Sequence, residues 1–169
     1  MPVDWESVYR EVFPDLVRYL GRKVWDPDRA RDLAQEAFAR SLGREPDDPR
    51  SWVFTVAANL ARDEARTDIR RREHLTLVKV EEETAPRPPD PLKALERKER
   101  AGQAREALGR LTERDREALL LWDAGLSYRQ IAEQTGLAPG AIGTTLARAR
   151  QRLVDAYEEV KEADDAAHR

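Results

Sequence analysis

The chain has 169 residues and no cysteine, carries charged side chains at 37% of its positions, and has a formal net charge of −3 at pH 7. This length allows one ordinary domain or two small ones, and the lack of cysteine excludes a disulfide framework and thiolate metal sites. No apolar run approaches the roughly 18–20 residues that a membrane span needs, and the N-terminus has no basic-then-apolar signal segment. We therefore expect a cytoplasmic protein without membrane insertion.

The sequence has no pattern that predicts catalysis. Its two histidines, His74 and His168, cannot make a His-rich metal site, and neither lies near a hydroxyl–acid constellation. No phosphate-cradling loop, metal-ligand cluster or nucleophile–histidine pair is recognisable. We expect no catalytic residue, no metal site and no cofactor, and we predict that the protein is not an enzyme.

Basic and acidic side chains are segregated along the chain. Residues 139–153 include three arginines and no acid, and residues 62–72 include five arginines against three acids. The acids concentrate in Glu81–Glu83 and in a C-terminal tail that begins at Asp155. The negative net charge by itself disfavours contact with a polyanion, but the two separate basic segments favour it.

Three helices are predicted in the N-terminal part, which we take as a domain over residues 1–73. Apolar residues at helical spacing predict a first helix over about 4–21. Asp26-Pro27 and Asp48-Pro49 each supply an N-cap followed by proline in the first turn, so a second helix should run to Gly43 and a third to about Arg72. Short connections between three helices predict one small bundle.

The composition changes at residues 74–91, where three consecutive glutamates and four prolines predict an extended, acidic linker. A short edge strand over Leu75–Val80 is the alternative. Helical periodicity returns over residues 92–169, and no segment carries a good strand signal. The predicted fold class is all-α, with two small helical domains joined by a flexible linker.

Residues 126–153 have the pattern of a helix-turn-helix, a motif whose second helix enters the major groove of DNA. Ser127 and Gln130 form an S-x-x-Q capping box, Gly136 supplies the turn, and Pro139 begins the last helix. A helical hairpin with a solvated basic face is the alternative. The predicted contacts with duplex DNA are Arg129, Gly140, Thr144, Arg148 and Gln151.

The third helix carries a polar stripe that begins at Thr55, with Phe54 and Ala58 expected on its solvent side. An exposed aromatic ring beside cations is what a single-stranded nucleic acid requires. In the alternative, Phe54 covers the adjacent helix and the arginines pair with neighbouring acids. The predicted single-strand contacts are Phe54, Asn59, Arg62, Arg66 and Arg70.

Three blocks of sequence resemble the extracytoplasmic-function (ECF) class of bacterial RNA polymerase sigma factors, in the sigma-70 superfamily. They are DRARDLAQEAFARSL (28–42), PRSWVFTVAANLARDEAR (49–66) and LSYRQIA (126–132) with the helix that follows. The resemblance implies a region 2 domain, which binds polymerase and opens the −10 promoter element, and a region 4 domain, which recognises the −35 element. The implied partners are the core polymerase (clamp helices and flap), promoter DNA and an anti-sigma factor.

The resemblance also assigns roles to residues. It implies that Asn59, Arg62 and Arg66 hold the melted non-template strand, and that the loop Gly43–Asp48 captures a flipped base. It implies contact with the core polymerase through block 28–42. The polymerase contacts are Asp32, Leu33, Gln35, Glu36 and Phe38.

The chain departs from the family at several basic positions, since it has Ala58, Gly143, Thr145 and Ala147 where larger or basic side chains are usual. Fewer cations weaken the grip on phosphates, so we expect little autonomous affinity for promoter DNA. The alternative function is a stand-alone helix-turn-helix transcriptional regulator, which would bind a palindrome as a dimer and leave block 28–42 unused.

Overall fold

The structure is a computed structural model that describes residues 1–74 and 90–169, with only the backbone for 69–74. These ranges contain helices and no strand, which confirms the all-α fold. Residues 75–89 of the predicted linker, its alternative strand and the side chain of Arg70 lie outside the described residues, while His74 and Pro91, at the two ends of the predicted linker, are helical. The helices are α1 (Trp5–Val24), α2 (Pro27–Ser41), α3 (Pro49–His74), α4 (Pro91–Gly109), α5 (Glu113–Asp123), α6 (Tyr128–Thr135) and α7 (Ile142–Ala167), with a 3-10 turn at Pro139–Ala141.

Aspartate caps begin the first three helices. The Asp26 carboxylate accepts a hydrogen bond from the Arg29 N–H at 3.0 Å, and Asp48 accepts one from the Ser51 N–H at 3.0 Å. Asp4 caps α1 in the same way, and hydrogen bonds from the side chain and backbone of Ser7 hold the pKa of its carboxyl below the usual value. Both predicted Asp-Pro start signals are confirmed.

Two compact units divide the described chain. The first contains residues 1–74 and 120–142, and the second contains 90–119 and 143–169. In the first unit, α1, α2 and α3 pack against one another around fully buried Leu16, Leu20, Leu33 and Val53. This is the three-helix bundle that the sequence predicts.

In the second unit, side chains from α4 and its C-terminal end contact α7. Arg110, the residue that follows α4, forms an ion pair with Glu159 at 3.2 Å, and Gln103 on α4 donates to Asp164 at 3.0 Å. Val160 is 1% exposed. The acidic tail is therefore a continuation of α7 that packs within this unit.

Candidate nucleic-acid interface

The helix-turn-helix pattern forms as predicted along the chain. The Gln130 N–H donates to the Ser127 hydroxyl at 3.2 Å, and the Ser127 N–H donates to the Gln130 side-chain oxygen at 2.9 Å, so the capping box is complete. Gly136 ends α6 in the left-handed region, at φ 73°, where glycine carries no steric penalty. The 3-10 turn then leads into α7.

The predicted duplex-binding side chains are exposed. On α7, Thr144, Arg148 and Gln151 lie at i, i+4 and i+7, which places them on one face of the helix. Gly140 is exposed in the 3-10 turn, and the Arg129 side chain is 87% exposed while pairing with Glu133 at 3.1 Å. A neutral hydroxyl and a guanidinium on one exposed helical face suit base edges and phosphates.

The predicted single-strand stripe on α3 is also exposed. Asn59 and Arg62 are joined by a hydrogen bond of 3.1 Å from the Arg62 guanidinium to the Asn59 side-chain oxygen. This bond orients the amide and the cation together on the outer face of α3. Arg66 follows one turn later on the same face and is exposed.

The prediction that Phe54 faces solvent is wrong. Phe54 is 0% exposed, and its ring packs edge-on against the ring of Tyr19 on α1 with centroids 5.2 Å apart. Ala58, which was expected beside it, is 5% exposed. Because α3 contacts α1, α2 and α6, its buried arc is wider than that of a helix with one covered side. Phe54 is therefore a core residue and cannot stack on a base.

Of the residues predicted to contact polymerase, some are exposed and others are buried. Asp32 and Gln35 are exposed on α2, and Glu36 is partly exposed and pairs with Arg40 at 2.6 Å. Leu33 and Phe38 are 1% and 5% exposed, so the prediction that they contact a partner directly is wrong. These two apolar side chains face the bundle core and fix the orientation of the polar face of α2.

Two glutamines that the sequence analysis did not assign to binding join α6 to α3. The Gln134 amide donates to the Ser51 carbonyl at 2.8 Å and to the Thr55 hydroxyl at 2.6 Å. The Gln130 amide donates to the Asp48 carboxylate at 2.7 Å. A cleft of about 600 Å³ lies beside these contacts, and its lining residues, among them Trp52 and Glu133, come from the segments 46–55 and 127–134. No local pattern marks Gln134, but Gln130 was recognisable as a capping residue.

Arg50 is a second residue whose partners were missed. It lies in the first turn of α3, where the helix dipole disfavours a cation. Its guanidinium pairs with Asp15 at 2.9 Å, donates to the Ala124 carbonyl, and lies over the Phe54 ring at 5.7 Å. The presence of arginine in the first turn of a helix was the sequence signal that could have predicted an acidic partner elsewhere in the fold.

Family models match both parts of the chain. The model described as Sigma-70 region 2 matches residues 8–72, and the model described as Sigma-70, region 4 matches residues 101–153. The chain is similar to the ECF RNA polymerase sigma factor EcfG of Rhodopseudomonas palustris, with 37% identity over 75% of this chain and 70% of that protein. It is also similar to the RNA polymerase sigma factor CarQ of Myxococcus xanthus, with 31% identity over 94% of this chain and 87% of the other.

The chain belongs to the ECF class of RNA polymerase sigma factors. A solved structure has the same fold, namely the sigma factor RpoE in complex with the anti-sigma factor NepR from Bartonella quintana. It aligns with a TM-score of 0.66 and 24% identity over 92% of this chain and 97% of that chain. As a sigma factor, the protein binds core RNA polymerase and directs promoter-specific initiation.

Family membership disfavours the alternative of a stand-alone helix-turn-helix regulator, because a region 2 match accompanies the region 4 match. Sigma factors as a class are initiation subunits that are generally not enzymes. Within residues 1–74 and 90–169, no group of acidic or histidine side chains could hold a metal ion. None of the described helices is long and apolar enough to span a membrane.

Proposed function

We propose that residues 1–73 of this sigma factor bind polymerase and the −10 element. Residues 92–169 recognise the −35 element, and residues 74–91 form the linker between the two domains. The region 2 and region 4 matches fall inside these two ranges and support the division. The observation that carries the assignment is the exposed polar face of α3 in the one range and of α7 in the other.

In the −10 domain, the proposed strand-holding residues are Asn59, Arg62 and Arg66. Their support is exposure on one face of α3 and the bond that orients Asn59 and Arg62 together. A planar amide and two cations suit a melted strand, because they bind base edges and phosphates without a duplex. The loop Gly43–Asp48 is proposed to hold the flipped base, and Asp32, Gln35 and Glu36 to face polymerase.

In the −35 domain, Thr144 and Arg148 are proposed to contact base edges, while Arg129, Gly140 and Gln151 position the helix on the DNA. Arginine paired with guanine is the commonest specific contact in the major groove, and Thr144 supplies a hydroxyl for the adjacent base or phosphate. The exposure of all five residues is consistent with this role.

The double variant T144A/R148A should lose the preference for an intact −35 element. Wild-type protein with core polymerase should transcribe a selected promoter more strongly than a template with a scrambled −35 element. In the variant this ratio should fall by about 30-fold or more, because each of the two base contacts contributes about 1–3 kcal/mol to discrimination. Run-off transcription on the two templates measures the ratio.

The control for this test is E158A/K161A, which changes two exposed residues farther along α7. It should keep the wild-type ratio. Full discrimination by T144A/R148A would contradict the assignment of α7 to the −35 element.

We further propose that the protein works in the cytoplasm, has no catalytic activity of its own, and is regulated by an anti-sigma factor. Initiation takes place where polymerase and chromosome are, which supports the location. The partner is suggested by the structurally similar RpoE, which is bound to NepR in its complex. Co-purification of the tagged chain from its native cells tests this proposal, since an anti-sigma partner would be recovered at equal amounts in place of polymerase.

A further inference from the structure

The first residue of α1 contacts the loop that is proposed to hold the flipped base. The Trp5 indole N–H donates to the backbone carbonyl of Arg44 at 3.2 Å, across 39 positions of sequence. We propose that Trp5 is a positioning residue for base selection, which fixes the loop Gly43–Asp48 in the shape that accepts one base of the −10 element. The proposal rests on the function proposed above, because it takes this loop as the base-binding site.

Trp5 is itself held in place by the start of α1. The Asp4 carboxylate accepts hydrogen bonds from the backbone N–H of Ser7 at 3.2 Å and from the Ser7 hydroxyl at 2.7 Å, which caps the helix at the residue before Trp5. The backbone N–H of Trp5 donates to the Val3 carbonyl at 3.0 Å. The backbone that carries the indole is therefore fixed by contacts within the protein alone.

Aromatic packing joins the same end of α1 to the end of α2, where the loop begins. One turn after the indole, the Tyr9 ring stacks on Phe13 with centroids 4.5 Å apart and meets the Phe38 ring edge-on at 4.9 Å. The Phe38 carbonyl accepts a hydrogen bond of 3.1 Å from the N–H of Leu42, the residue that ends α2. The α1 segment that carries the indole and the start of the loop therefore belong to one packed cluster.

Contacts at three points give the loop its shape. After α2 ends, Gly43 turns the chain at a φ of 77°, and the Arg44 N–H donates to the Ser41 carbonyl at 3.0 Å. The aspartate cap of α3, described above, fixes the other end of the loop. The Trp5 bond is the third point, and it fixes the peptide group between Arg44 and Glu45.

A loop that is ordered in advance should be more selective than a mobile one. A flipped base is recognised by hydrogen bonds at its edges, which require donors and acceptors at fixed positions. A loop released at Arg44 must be ordered when the base binds, which costs free energy, and it can also adapt its shape to a wrong base. Loss of the Trp5 bond should therefore lower the preference for the right base more than it lowers transcription as a whole.

The experiment uses holoenzyme assembled from the full chain and core polymerase. Run-off transcription is measured on templates that carry each of the four bases at every position of the −10 element. The test variant is W5F, which keeps an aromatic ring at the start of α1 and removes the indole N–H. The loop variant E45A/D47A truncates two exposed side chains of the loop and identifies the −10 position that the loop reads.

W5F should reduce the base preference at that position about 2- to 10-fold, the effect expected for the loss of one hydrogen bond. The other −10 positions and the −35 discrimination should stay as in the wild type. A general loss of folded protein would instead lower transcription from every template by the same factor. The matched control is Y9F, which removes the hydroxyl from a neighbouring, partly exposed ring but keeps the indole N–H, and it should match the wild type at all positions.

Nuclear magnetic resonance tests the bond itself. The chain contains four tryptophans, so the indole N–H signal that is absent from the W5F spectrum belongs to Trp5. This proton should exchange with water more slowly than the indole proton of free tryptophan, because it is held by the Arg44 carbonyl. An exchange rate equal to that of free tryptophan would overturn the contact.

The two loop-directed variants separate the failure of this proposal from the failure of the loop assignment. An unchanged preference in W5F with a changed one in E45A/D47A would overturn the role of Trp5 and leave the loop as the base-binding site. If neither variant changes a preference at any −10 position, the loop does not read a base, and both proposals fail. A change at one position in W5F alone would support Trp5 and assign the base contact to the loop backbone. A W5F effect spread evenly over all positions would make Trp5 a purely structural residue and overturn the proposal.

Discussion

Replacing Arg62 and Arg66 together by alanine should reduce promoter opening by about 30- to 1,000-fold while leaving polymerase binding unchanged. Each guanidinium that contacts a phosphate contributes roughly 1–2 kcal/mol in a charge-assisted hydrogen bond, and a change of about 1.4 kcal/mol is a factor of ten. Both arginines are exposed on the outer face of α3, so their loss removes contacts without opening the core. The effect should therefore be confined to the step at which the strand is held apart.

Permanganate reactivity of unpaired thymines measures opening, and co-elution with core polymerase measures binding. The matched control is R97A/R100A, which removes two exposed arginines from α4 and should leave both measurements as in the wild type. Normal thymine reactivity in R62A/R66A would remove these residues from strand holding. Loss of co-elution would instead place them at the polymerase interface.

Replacing Phe54 by alanine should destabilise the first compact unit by about 3–5 kcal/mol, whereas leucine should cost less than about 1.5 kcal/mol. The ring is 0% exposed and lies between Tyr19 and the guanidinium of Arg50. The alanine variant leaves a cavity at the junction of α1 and α3. It also removes the aromatic ring on which the Arg50 guanidinium lies. Urea unfolding followed by circular dichroism gives the free energy of unfolding for each variant.

The leucine variant also separates the core role from the stacking role that the sequence suggested. Leucine fills most of the ring's volume but cannot stack on a base. F54L should therefore open promoters about as well as the wild type at temperatures where it is folded. A folded F54L protein that fails to open promoters would restore Phe54 to the DNA-binding surface.

The helices were predictable because their signals are local. Asp26-Pro27, Asp48-Pro49 and Ser127-Gln130 each place a capping side chain within three residues of the N–H that it satisfies, and each begins a helix in the structure. The end of α1 was less predictable. The helix ends at Val24 because Trp25 adopts a left-handed φ of 55° and stops it there. Glycine usually occupies such a position, so the tryptophan gave no sign of a helix end.

The proposed binding faces were predictable in part, and the two errors have different causes. Assigning Phe54 to solvent assumed that α3 is covered on one side, but tertiary packing covers it with α1, α2 and α6. Leu33 and Phe38 were assigned to the polymerase surface from the family resemblance of block 28–42, although helical periodicity turns them inward.

The contacts of Gln134 with Thr55 and of Arg50 with Ala124 join residues more than 70 positions apart in sequence. No periodicity or capping pattern encodes a hydrogen bond across such a separation, since it depends on which surfaces meet in the folded unit. These contacts therefore became visible only in the structure, whereas the two proposed DNA-binding faces follow from spacing along α3 and α7.

Mixing the purified chain with core polymerase, and transcribing a promoter obtained by binding-site selection, tests most directly whether this protein initiates transcription as a dissociable subunit. We predict that the chain co-elutes with the core enzyme and that the mixture yields a run-off transcript from one fixed start site, which neither component gives alone. A chain that elutes apart from polymerase and adds no transcript, or that binds a palindromic duplex as a dimer without it, would contradict the assignment.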